Sequence, residues 1–165
     1  MNSILLVDDE PKVLASLKRA LMEEDMAIFT AATAEAGFRI MESREISLVV
    51  SDEKMPGMSG TEFLFLVRRQ YPNSIRIVLT GHASLDSVMS AVNNGEIYRF
   101  FTKPWDDLHL RLTIRAALEK YELEAENRRL VEMVRRHERN VRALEKTYPG
   151  ISRLEKDEQG MLVIP

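Results

Sequence analysis

Short apolar runs recur along the first two thirds of the chain, separated by longer stretches with a different rhythm. The runs are ILLV (4–7), AIFTAA (27–32), LVV (48–50), IRIVLT (75–80) and IYRFF (97–101). Each is bounded by polar or turn residues and predicts a strand. ILLV and LVV do not alternate with polar residues, as expected of strands covered on both faces. Between the runs, apolar residues fall at helical spacing: Val13, Leu14, Leu17 and Leu21, then Phe63, Leu64, Leu66 and Val67, then Leu85, Val88, Met89 and Val92. Pro11 suits the first turn of the first of these helices. Five strands alternating with helices predict an α/β domain over residues 1–119, with a parallel sheet and right-handed crossovers.

From Asp106 the rhythm changes. About 40 residues pass without Pro or Gly, rich in Glu, Arg and Leu, and predict one long helix. Leu123, Leu130, His137 and Leu144 are spaced by seven, and so are Asn127, Val134 and Val141. The two series interleave as d and a positions, which predicts a coiled-coil extension over 120–146. Leu mostly at d, with Val and one Asn at a, favours a parallel two-stranded coil and hence a homodimer. Pro149-Gly150 ends the helix, and ISRLEK and MLVI flanking DEQG read as a hairpin in the tail, residues 147–165.

Composition narrows the function classes. Formal net charge is −3, which argues against a whole-domain nucleic-acid footprint. RRHERNVR (135–142) is basic, but acids interrupt it and no aromatic residue interleaves, so it reads as the solvated face of a coil. The chain has no Cys, which excludes disulfides and thiolate metal sites and fits a reducing, cytoplasmic setting. No signal peptide and no membrane span are expected, since no apolar stretch approaches about 20 residues.

Candidate chemistry lies at the strand ends, because ligands of open parallel sheets bind beyond the carboxyl ends of the strands. Asp8 and Asp9 follow the first predicted strand, Asp52 ends the third, Thr80 ends the fourth and Lys103 follows the fifth. Three close carboxylates repel one another unless a cation sits among them. Mg²⁺ suits such oxygens and usually takes only one or two carboxylates with several waters. A cation beside a lysine suits a phosphoryl group, whose transfer needs mainly positioning and charge stabilisation. With no Cys and no Ser/His pair at the strand ends, Asp52 is the best nucleophile available. In the loop that follows, Pro56 and Gly57 favour a turn, and Ser59 is placed to cap a helix beginning near Gly60.

LLVDDEP, LVVSDEKMPGMSG, IVLTGHAS and FFTKPW stand in an order and spacing that together resemble the receiver domain of two-component response regulators, over roughly residues 1–120. The resemblance implies a flavodoxin-like (βα)5 fold with strand order 2-1-3-4-5. It implies that Asp52 is the phosphoacceptor, that Asp8 and Asp9 with Asp52 hold Mg²⁺, and that the backbone carbonyl of Lys54 is a further metal ligand. Thr80 then stands as the switch hydroxyl and Lys103 as the phosphate-pairing lysine, joined to Pro104 by a cis peptide. Phe100 takes the switch aromatic position, where many members carry Tyr, and it has no hydroxyl to donate. In the resemblance, Lys54 and His82 occupy positions that tune phosphoryl lifetime; on the residues alone both read as solvent-exposed. The implied phosphodonor is a histidine kinase or phosphotransfer protein, and the implied catalysis is limited to self-transfer and self-dephosphorylation.

Two other readings remain open on the residues. One is an Mg²⁺-dependent phosphatase using Asp52 on external phosphoesters, although such enzymes usually place a second acid where Lys54 stands. The other is a degenerate receiver that serves only as a dimer scaffold. His109 reads as a solvated helix residue, and Trp105 as a packing residue at the start of the last helix.

Overall fold

The computed structural model describes residues 1–152, except the side chain of His82, together with the backbone of the strand residues 155–156 and 162–163. Two compact units divide the chain, Met1–Leu123 and Glu124–Pro165.

The first unit alternates strand and helix: β1 (Asn2–Val7), α1 (Pro11–Leu21), β2 (Met26–Ala31), α2 (Ala34–Ser43), β3 (Leu48–Asp52), α3 (Gly60–Gln70), β4 (Ile75–Thr80), α4 (Leu85–Asn93), β5 (Arg99–Thr102) and the start of α5 (Asp107–Thr147). The five strands form one parallel sheet in the order β2-β1-β3-β4-β5. β5 begins two residues later than the apolar run predicted: the Ile97 N–H still bonds the Ala91 carbonyl of α4, and the Tyr98 N–H bonds the Arg76 carbonyl of β4 just before the ladder begins.

Strand side chains alternate between faces, so neighbours in sequence enter different cores. Ile4, Leu6, Leu48, Val50, Ile77 and Leu79 pack with Leu17 and Leu21 of α1 and with Leu110 and Ile114 of α5. Leu5, Val7, Val49 and Val78 pack with Met41 of α2, Phe63 and Val67 of α3, and Val88 of α4. Full burial of each large apolar side chain contributes roughly 1.5–3 kcal/mol. Met89 departs from the predicted stripe of α4, since it is exposed while Val88 is buried. On α2, a Cβ added to Gly37 would lie 3.1 Å from the Phe63 ring, so glycine lets α3 approach closely. Tyr121 is buried in the first core, and its hydroxyl donates to Glu45 at 2.7 Å. Arg115 of α5 makes a two-pronged ion pair with Glu24, both contacts at 2.7 Å, which fastens α5 to the loop after α1.

In the second unit, α5 carries a row of exposed apolar side chains. Leu130, Val134, Val141 and Leu144 of the predicted seam are exposed, as are Asn127 and His137 between them. Leu123, the seam's first residue, lies at the end of the first unit and is also exposed. Val131 and Met133 flank the seam at e and g positions and are exposed too, so the stripe widens in its central heptad. In the tail, Glu155–Lys156 pairs antiparallel with Leu162–Val163, and the other residues of the predicted hairpin from 153 onwards lie outside the described residues.

Candidate functional site

Strand register brings the polar strand ends together. Val7 pairs with Ser51, so Asp8 and Asp52 are the next residues on adjacent strands. Asp52 pairs with Leu79, which places Thr80 one step beyond it, and Thr80 pairs with Thr102, the residue before Lys103. Hydrogen bonding thus carries four side chains from across the sequence to one edge of the sheet.

Asp8 is 0% exposed and Asp52 4% exposed, whereas Asp9 faces solvent. One carboxylate oxygen from each of Asp8, Asp9 and Asp52 lies within 4.8 Å of the others. Lys103 Nζ stands 2.8 Å from Asp52 Oδ1 and 3.1 Å from Asp8 Oδ2. Lys103-Pro104 is a cis peptide. One ammonium therefore faces three carboxylates, and the excess negative charge, presented on hard oxygens, fits a divalent cation. The Thr80 hydroxyl, fully buried, donates to the Gly81 carbonyl at 3.0 Å, so it is held beside the acids and engaged with backbone. Phe100 is half-buried against the core beneath α2, α3 and α4. Lys54 is exposed, and the side chain of His82 lies outside the described residues.

Burial raises the Asp52 pKa above the ordinary carboxylate value; the Lys103 hydrogen bond opposes this, and the negative charges of Asp8 and Asp9 add to it. For Lys103, burial by itself lowers the pKa, but the bonds to Asp52 and Asp8 outweigh it and hold the group above its usual value. The ammonium is thereby kept charged. The Asp52 shift has a definite sign in stability. A carboxyl group with a raised folded pKa stabilises the fold fully below its unfolded pKa of about 3.9, and that contribution disappears as pH rises through the folded value. Without divalent cations, Asp52→Asn is therefore expected to gain in urea midpoint relative to the wild type as pH goes from about 4 to 7. A difference independent of pH contradicts the raised value.

The loop from Asp52 to α3 closes tightly. A Cβ at Gly60 would fall 2.1 Å from the Asp52 carbonyl oxygen, so only glycine lets α3 start against the end of β3. Ser59 caps α3 in a reciprocal capping box with Glu62. Glu53, which sequence reasoning missed, is 8% exposed and binds Thr61 through its carboxylate. Only its place directly after Asp52 could have singled it out. Among the other candidates, the Trp105 indole donates to Asp107 at 3.0 Å and its ring packs on the first core. His109 is exposed, edge-on to Phe101.

Comparison with known proteins agrees with this geometry. The family profile described as response regulator receiver domain matches residues 4–115. The hydrogenase transcriptional regulatory protein HoxA of Cupriavidus necator is 34% identical over 128 residues, which is 78% of this chain and 26% of that protein. The chain thus spans about a quarter of the length of that relative. The crystal structure of a response regulator receiver domain protein from Clostridium thermocellum superposes with a TM-score of 0.70 at 30% identity, covering 74% of this chain and 98% of that one. The signal receiver domain of an HD domain-containing protein from Pseudomonas fluorescens Pf-5 gives 0.71 at 39% identity, covering 76% and 92%. Among the described residues no helix is long and apolar enough to cross a membrane.

Proposed function

The chain belongs to the response regulator receiver domain family, and from that premise we propose that Asp52 accepts a phosphoryl group from a histidine kinase or phosphotransfer protein, with Mg²⁺ held by Asp8, Asp9, Asp52 and the Lys54 carbonyl. The observation that carries this reading is the bridge from Lys103 Nζ to both buried acids, Asp52 and Asp8, of a cluster that the exposed Asp9 completes. Mg²⁺ would offset the charge of the transferring oxygens. A carboxylate oxygen of Asp52 attacks phosphorus, the bond from phosphorus to the donor breaks, and the donor leaves with that electron pair. Lys103, kept cationic by its two acid partners, stays beside Asp52 and pairs with the new phosphoryl oxygens. Thr80 exchanges its bond to the Gly81 carbonyl for one of those oxygens, and Phe100 repacks into the space vacated.

The exposed stripe on α5 supports a parallel homodimer through Leu123, Asn127, Leu130, Val134, His137, Val141 and Leu144. Because α5 contributes residues to both units, phosphorylation in the first is coupled by one helix to association through the second. We place the protein in the cytoplasm, with the residues of this chain acting through protein contacts and not themselves binding nucleic acid.

The rival chemistry is turnover of external phosphoesters, for which Lys54 supplies no general acid. A chromogenic phosphate monoester with Mg²⁺ discriminates between the two. The expected result is no sustained turnover, alongside acetyl phosphate consumption that stops on EDTA addition. Sustained release from the ester establishes the phosphatase instead.

A further inference from the structure

Glu53 is an acid placed where an acid is costly: nearly buried, and one residue from a cluster that already holds three carboxylates. Its side chain has a specific engagement. Glu53 Oε2 accepts from the Thr61 backbone N–H at 2.8 Å and from the Thr61 hydroxyl at 2.6 Å. Thr61 is the second residue of α3, so that N–H is one of the helix's unpaired donors and the carboxylate meets the positive end of the helix dipole. The Glu53 backbone is fixed as well. Its N–H donates to the Leu79 carbonyl at 2.8 Å and its carbonyl accepts from Gly60 N–H at 3.0 Å. Four hydrogen bonds to three residues thus close the loop at its base, tying the residue after the phosphoacceptor to β4 and to the first two residues of α3. Lys54 is the next residue into the loop.

The geometry points to Glu53 as a positioning residue for the cation site. Its carboxylate fastens the two ends of the Asp52–Gly60 loop so that the Lys54 carbonyl is presented in one arrangement before a cation arrives. This rests on the reading of the acid cluster as an Mg²⁺ site. Ligand positions held by outer hydrogen bonds lose about 10- to 100-fold in metal affinity when those bonds go. Gln at position 53 keeps an oxygen able to accept both Thr61 bonds, whereas Ala keeps none.

The test is Mg²⁺ titration by calorimetry of the full chain, with urea unfolding measured in parallel and no phosphodonor present. Glu53→Ala is expected to weaken Mg²⁺ binding about tenfold or more, while Glu53→Gln stays close to wild type. Thr61→Val, which retains the amide and loses only the hydroxyl, falls between them, and it supplies the comparison if the alanine variant does not fold. An Ala or Val variant with wild-type Mg²⁺ affinity and a lowered urea midpoint overturns the inference, leaving Glu53 as a helix cap. A wild-type chain that binds no Mg²⁺ overturns the cation site itself, and this inference with it.

Discussion

Lys103→Ala is expected to slow phosphorylation by acetyl phosphate about 100-fold or more, the usual cost of removing one preorganised charge-stabilising group. The same variant is expected to bind Mg²⁺ at least as tightly as the wild type. Lys103 Nζ lies within salt-bridge distance of both Asp52 and Asp8, so in the free protein it occupies carboxylates that a cation needs. Removing it frees those oxygens for metal and deprives the transferring phosphoryl group of its ammonium. The two readouts therefore move in opposite directions. A simple loss of structure lowers both. If rate and Mg²⁺ affinity fall together, Lys103 is a scaffold residue.

The second large effect belongs to the proposed coiled coil. Leu130 stands at a d position of the proposed seam and is half exposed in the single chain, beside Val134 at a and Val131 at e. A seam of about three heptads has few such residues, so each carries a large share of the association. Leu→Ala at a buried site costs about 2–5 kcal/mol, and a dimer loses it twice. At about 4 kcal/mol in total, the dimer dissociation constant rises roughly 1,000-fold. Sedimentation is expected to show a wild-type dimer and a Leu130→Ala monomer with an unchanged phosphorylation rate. A wild-type chain that sediments as a monomer, with and without a phosphate mimic, ends the dimer proposal.

The site was more legible in the sequence than much of its support. Asp8, Asp52, Thr80 and Lys103 each end or follow an apolar run, and the register of a parallel sheet brings such positions to one edge. Ser59 could be read as a cap because capping is local, and the capping box is present. Helix α2 was harder to see in detail. Its buried residues are Ala34, Gly37 and Met41, so no large apolar stripe announces it, and the reason for Gly37 lies in Phe63 of another helix. Nothing local in the sequence pairs Glu53 with Thr61, because the two stand eight residues apart across a closed loop. Glu24–Arg115 and Glu45–Tyr121 are invisible for the same reason, being pairs whose members meet only after the sheet has formed. Tyr121 also shows why the sequence division at 119 differs from the compact unit, which runs to Leu123. Its ring is buried in the first core although its surroundings read as extension. Periodicity reports which face is apolar, and it cannot report which partner covers that face.

The claim on which the account depends is that Asp52 becomes covalently phosphorylated. Intact-mass spectrometry after incubation with acetyl phosphate and Mg²⁺ tests it directly. One addition of about 80 Da per chain is predicted for the wild type, with none for Asp52→Asn and none when EDTA replaces Mg²⁺. An unmodified wild type, or an Asp52→Asn variant labelled to the same extent, contradicts it.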